Sequence, residues 1–85
     1  MKLPSGVYES KMPDGTVIRI DFAGGGAARM SMIEGGVEEG HHAKWIINGE
    51  SILVEGADGM TLQLTWKGDA LVSDFGGMTI TFTKP

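Results

Sequence analysis

The residues of this chain best equipped for chemistry lie in one stretch: Met30-x-Met32, then Glu38-Glu39, then His41-His42. Thioether and imidazole donors together suit copper, and imidazole with carboxylate suits zinc. A metal carrier built from His41, His42, Met30, Met32 and Glu38 is therefore one reading. Neighbouring residues of a regular strand project to opposite faces, so His41 and His42 share an ion only if the backbone turns irregular near Gly40. The competing expectation is that His42 pairs with Glu55 across a hairpin while His41 lies at a rim. The methionines are then gap-fillers in a small curved core.

Other chemistries find less support. A Ser-His-Asp arrangement would need a serine placed by the fold, and no nucleophile-elbow motif is present. The inward-facing positions offer no pair of carboxylates for acid-base work. Gly24-Gly25-Gly26 follows a strand, but neither a glycine-lysine-serine/threonine ending nor a helix comes after it, so it reads as a turn rather than a phosphate loop. The expectation is a protein that is not an enzyme and needs no cofactor.

Eighty-five residues suffice for one domain, 1–85, near the lower end of what folds alone. Apolar residues make up 41% and charged residues 21%, which argues against disorder. A formal charge of -4 leaves no basic stripe for nucleic acid. No apolar run approaches the roughly 18 residues of a transmembrane segment. The absence of cysteine excludes disulfides and thiolate metal sites. Met1-Lys2-Leu3-Pro4 is too short for a signal peptide, so the location is either cytoplasmic, or periplasmic or extracellular after removal of a leader.

The elements that must position these residues are strands. Residues 8–22 align without a gap on residues 52–66: Asp14-Gly15 falls on Asp58-Gly59, Ile18 on Leu62, Ile20 on Leu64 and Phe22 on Trp66. Three-residue loops at Pro13-Asp14-Gly15 and Ala57-Asp58-Gly59 keep the apolar residues of both hairpins on one face, pairing Tyr8 with Ile20 and Ile52 with Leu64. They also set Glu9 against Arg19. A five-residue loop around Gly24-Gly25-Gly26 pairs Phe22 with Ala28 and Asp21 with Arg29. Two-residue turns are expected at Asn48-Gly49, Lys67-Gly68 and Gly76-Gly77. They place Trp45 opposite Ile52, Ala43 opposite Val54, His42 opposite Glu55, Leu64 opposite Leu71, and Leu71 opposite Phe82. Residues 33–40, rich in glycine and glutamate, read as an exposed mobile loop.

Eight strands follow, near 6–12, 16–22, 28–33, 41–47, 50–56, 60–66, 69–75 and 78–83. The fold class is all-β: an antiparallel up-and-down meander that curls into a small β-barrel, or a flattened barrel of two packed sheets. The inward face collects Tyr8, Ile18, Ile20, Phe22, Met30, Met32, Trp45, Ile52, Val54, Met60, Leu62, Leu64, Trp66, Leu71, Phe75, Met78, Ile80 and Phe82. Strands of about six residues make a barrel only about 20 Å tall, so these side chains should fill it. A shallow pocket near Trp45, Met30 and Met32, under the 33–40 loop, is the expected exception.

Gly6-Val7-Tyr8, Phe22, Trp45-x-Ile47-x-Gly49-x-x-Ile52-x-Val54, Asp58-Gly59, Leu64, Gly68-Asp69-x-Leu71 and Phe82-Thr83-Lys84 together resemble small bacterial lipocalin-like domains of exported proteins and lipoproteins. The resemblance spans nearly the whole chain and implies a meander barrel. Its motifs are glycine turns and inward aromatics, and it carries no catalytic residue. The chain has no cysteine at which the lipid of that group could be attached.

Ile46, Leu53 and Val72 fall on the outer face, where packing inside the barrel does not account for them. Merged, they would form a patch for self-association or a protein partner. The sequence therefore points first to a non-enzymatic binding or protein-interaction module. A small-ligand or copper/zinc carrier using the His41/His42 end is the alternative, and an enzyme comes last.

Overall fold

The computed structural model describes residues 3–56, 59, 61–75 and 77–85, except for the side chain of Phe75. Its strands are β1 (Gly6–Lys11), β2 (Val17–Phe22), β3 (Ala27–Glu34), β4 (Val37–Asn48), β5 (Ser51–Gly56), β6 (Thr61–Lys67), β7 (Ala70–Phe75) and β8 (Met78–Phe82), with one 3₁₀ turn at Gly24–Gly26. Each strand pairs antiparallel with its sequence neighbours, in the order β1 to β8. The two ends of the sheet meet at a single bridge, where Glu9 and Thr83 exchange N–H···O bonds of 2.8 and 2.9 Å. The result is the expected meander, a nearly closed barrel with one unsealed seam between β1 and β8.

Turn geometry sets the registers. The β1–β2 loop has three residues: the Gly15 N–H donates to the Met12 carbonyl at 3.0 Å and the Met12 N–H to the Thr16 carbonyl at 2.7 Å. Its repeat partner carries the corresponding bond, Gly59 N–H to the Gly56 carbonyl at 3.1 Å, although Ala57 and Asp58 lie outside the described residues. Tyr8 pairs with Ile20, Ile52 with Leu64, Phe22 with Ala28 and Asp21 with Arg29, as the sequence predicts. Leu71 pairs with Phe82 as well, with Gly76 of that turn not described.

Two turns sit one residue later than expected. Asn48 pairs with Ser51 and Lys67 with Ala70, so the central residues are Gly49-Glu50 and Gly68-Asp69. Gly49 and Gly68 have φ of +64° and +63°, and among the described residues only glycines have a positive φ. That is the glycine-first arrangement of a type II′ turn, which spares Asn48 and Lys67 the left-handed conformation. Trp45 therefore faces Val54, Ala43 faces Gly56 and Trp66 faces Leu71. The shift moves each partner by two residues, so every side chain keeps its face.

Residues 33–40 are not a loop. Glu34 pairs with Val37 around Gly35-Gly36, whose φ values of +58° and +81° meet the type I′ demand for two left-handed residues. β3 and β4 thus form a long hairpin. Its β4 arm outruns β5, which pairs with β4 only from Ala43 onward.

Ile20, Ile52, Val54, Leu64, Leu71 and Phe82 are fully buried along the barrel axis. Tyr8, Phe22, Ala28, Ala43 and Ile80 complete the buried cluster, with Ile18, Met30, Leu62 and Trp66 packed partly against it. Two expected core residues are corrected: Met32 is 50% and Met78 54% exposed. Met32 lies on the part of the hairpin that outruns β5, and Met78 opens β8 beside the seam, so neither is covered. Met60 and the Phe75 side chain, also expected inside, lie outside the described residues.

Candidate functional site

The long hairpin sorts the candidate metal ligands by parity. Met30 stands directly opposite His41, and Met32 directly opposite Glu39. All four therefore share the inward-facing side of the β3–β4 ladder. His42 and Glu38 project from the other side. His42 faces Arg29 rather than Glu55, which instead faces Lys44. The expected His42–Glu55 pair is overturned because the β4–β5 turn begins one residue later. A single site holding His41, His42 and Glu38 together is excluded by the regular strand through Gly40.

The outer side of this hairpin is a charge network. Arg19 donates from Nε to Glu9 Oε2 and from Nη1 to Glu38 Oε1, both at 2.6 Å. The Glu9 carboxylate raises the already high pKa of Arg19. Glu38 is thus engaged by an arginine. Arg29 lies over the bare backbone of Gly40, where an added Cβ would come within 2.6–2.8 Å of its guanidinium. The Arg19 pairs tie the protruding hairpin to β1 and β2. Among the described residues, no group of three or more histidines, acids or cysteines gathers in metal-binding proximity.

The expected pocket near Trp45 is also corrected. Trp45 Nε1 donates to the Ala23 carbonyl at 3.0 Å, and the ring meets Phe22 edge-on at 6.1 Å. It caps the barrel end where Phe22 faces Ala28, while Met32 faces Ile18 at the other end. No loop covers Met30 and Met32. Beside Met32, Glu34, Val37 and Glu39 there is instead a small hollow of about 170 Å³.

Sequence reasoning missed the seam. A groove of about 680 Å³ runs along it, lined by Lys11, Met12 and Pro13 on one side and Met78, Thr79, Ile80 and Thr81 on the other. Glu9 and Thr83 point their backbone groups across the seam, so Lys11, Thr81 and Thr79 do the same two and four residues away. Continuing the ladder would set Lys11 opposite Thr81 and Pro13 opposite Thr79, yet only the Glu9–Thr83 bridge forms. Pro13 has no N–H with which to close its rung, and Val7 would meet Pro85, which lacks one too. The signal was present in those two prolines, but it has meaning only once the ends of the sheet are known to meet.

On the outer face, Ile46 is 60% exposed and stands directly opposite Leu53. Leu53 faces Gln63 on its other side, and Val72 lies opposite Thr65. Leu53 and Val72 are half-buried, so the apolar patch is centred on Ile46 and Leu53. None of the family models, curated proteins or solved structures compared with this chain matches it.

Proposed function

We propose that this chain is a non-enzymatic protein-interaction module that accepts an extended, uncharged segment of a partner protein against the free edge of β8. The observation that carries this reading is the seam. Thr79 and Thr81 turn their N–H and C=O groups into a groove whose other wall is held off by Pro13. An unpaired strand edge is a template for an added strand, and main-chain hydrogen bonds supply the affinity in that mode of recognition. Met12, Met78 and Ile80 offer apolar contact to alternate side chains of the incoming segment. Kinship with small lipocalin-like domains belongs to the same proposal and is supported by the consecutive order of the strands. The occupied barrel axis favours recognition on the surface over an enclosed ligand.

Thr81→Pro tests the reading, because it removes a donor facing the seam and leaves the β7–β8 ladder bonds, made by residues of the other parity, in place. Peptides selected against the native protein from a random library should protect the Thr79 and Thr81 amides from exchange. They should bind the variant at least about 10-fold more weakly, the loss of roughly one well-made hydrogen bond. Equal binding to both proteins, or protection confined to the Ile46–Leu53 face, would overturn it.

A further inference from the structure

The geometry points to a copper(I) site on the concave side of the β3–β4 hairpin, with Met30, Met32 and His41 as ligands. Strand alternation had counted against any metal at this end by separating His41 from His42. The register removes the objection by removing His42: the remaining donors fall on one face without it. Met30 and His41 are cross-strand partners, as are Met32 and Glu39. Directly opposed residues carry Cβ atoms about 4.5–5.5 Å apart, and alternate residues on one strand lie about 7 Å apart. The unbranched methionine side chain, with three rotatable bonds, spans such distances. Two thioethers and an imidazole can therefore converge on one point above the ladder.

The donor set selects the ion. Thioether sulfur is soft and favours copper(I), while magnesium, calcium and manganese prefer all-oxygen shells. Zinc draws on thiolate, imidazole and carboxylate; this face supplies one imidazole and two carboxylates, and one of these, Glu34, stands two rungs, about 14 Å, from the Met30–His41 rung. Glu39 sits beside the three ligands and offsets the positive charge of the bound ion.

Exposure is an independent observation. Met32 has inward parity yet is 50% exposed, and His41 is exposed beside half-buried Met30. Packing explains Met30, which touches the core cluster, but not Met32. The hollow of about 170 Å³ lies on the tip side of Met32, against Glu34, Val37 and Glu39, and leaves that side of Met32 open to water. The site is held from behind, since Arg19 anchors Glu38 on the opposite side of the same strand. The ion is bound and released as copper(I), with no electron transfer.

The test is an anaerobic titration of the intact protein with copper(I) against a chromophoric copper(I) chelator, with methyl spectra of the methionines recorded in parallel. One equivalent should bind, shifting the methyl signals of Met30 and Met32 and leaving that of Met12 in place. Met32→Leu keeps the size of an exposed side chain and should weaken binding by at least about 10-fold, as should His41→Asn. His42→Asn and Glu38→Gln should leave it unchanged. The absence of one-equivalent binding would overturn the site. So would binding that survives Met32→Leu, or binding lost equally on His42→Asn. If Met32 is exposed for a protein contact instead, copper(I) leaves its methyl signal unmoved, and the site again falls.

Discussion

The two ends of this barrel use the same alternating strands and finish in opposite ways. At one end aromatic rings close over the core. Tyr8 meets Phe22 at 5.7 Å and Trp66 at 6.1 Å, and Phe22 meets Trp45 at 6.1 Å, all edge to face. Lys84 Nζ lies 5.5 Å from the centre of the Tyr8 ring, adding a cation–π contact over the seam. At the other end Met32 and Met78 stand half in water, and the seam opens beside Met12 and Ile80. Stability is concentrated where large rings are buried. The methionine end is relieved of that duty, which leaves its side chains and strand edges available to a ligand or partner.

The largest expected effect sharpens the contrast most. Phe22→Ala removes a ring that is 3% exposed and should cost about 3–5 kcal/mol in denaturant unfolding. A loss under about 1 kcal/mol would show that the aromatic end does not carry the fold. Ser73→Ala follows, with the opposite sign. The Ser73 hydroxyl is buried on the inward face opposite Ile80 and has no hydrogen-bond partner among the described residues. Deleting it should raise stability by about 1 kcal/mol, and a loss of that size would reveal a bond made by this hydroxyl. Met32→Ala and Ile46→Lys come next, each within about 0.5 kcal/mol of the parent, because both side chains are at least half exposed. A cost of several kcal/mol for Met32→Ala would erase the difference between the two ends.

The smallest effect is a pH dependence at the β1–β2 turn. The Thr16 N–H donates to Asp14 Oδ1 at 2.9 Å, and this bond holds the Asp14 carboxyl below the usual aspartate range. A carboxylate whose pKa is lower folded than unfolded adds stability above the unfolded pKa. That contribution is lost as pH falls through the folded value. Acid titration should therefore loosen the turn only below the ordinary aspartate pKa, seen as faster exchange of the Thr16 amide. Asp14→Asn should flatten the profile there. An unchanged profile in the variant would assign the loosening to another group.

Much of this architecture is legible in the residues alone. Outside the turns and residues 33–40, period-two alternation assigns the strand side chains from Tyr8 to Phe82 to a face, and a turn displaced by one residue at each of two hairpins left that assignment intact. The Glu9–Arg19 pair followed from the three-residue loop around Asp14-Gly15. The hairpin at Gly35-Gly36 was legible too, since two adjacent glycines satisfy a type I′ turn. It was missed because residues 33–40 carry acids and glycines instead of an apolar face, and a hairpin that protrudes into water does not need one.

The sequence by itself determined the strand count, the meander and most of the core, Met32 and Met78 excepted, because parity and turn chemistry act over a few residues. Tertiary structure alone decided which rungs close the barrel, and which of Met30, Met32, Glu38, Glu39, His41 and His42 stand together. Both depend on register between strands, where one residue of turn moves a partner by two positions. The seam depends further on how far the sheet curls before Glu9 reaches Thr83, a property of the whole sheet and of no single segment.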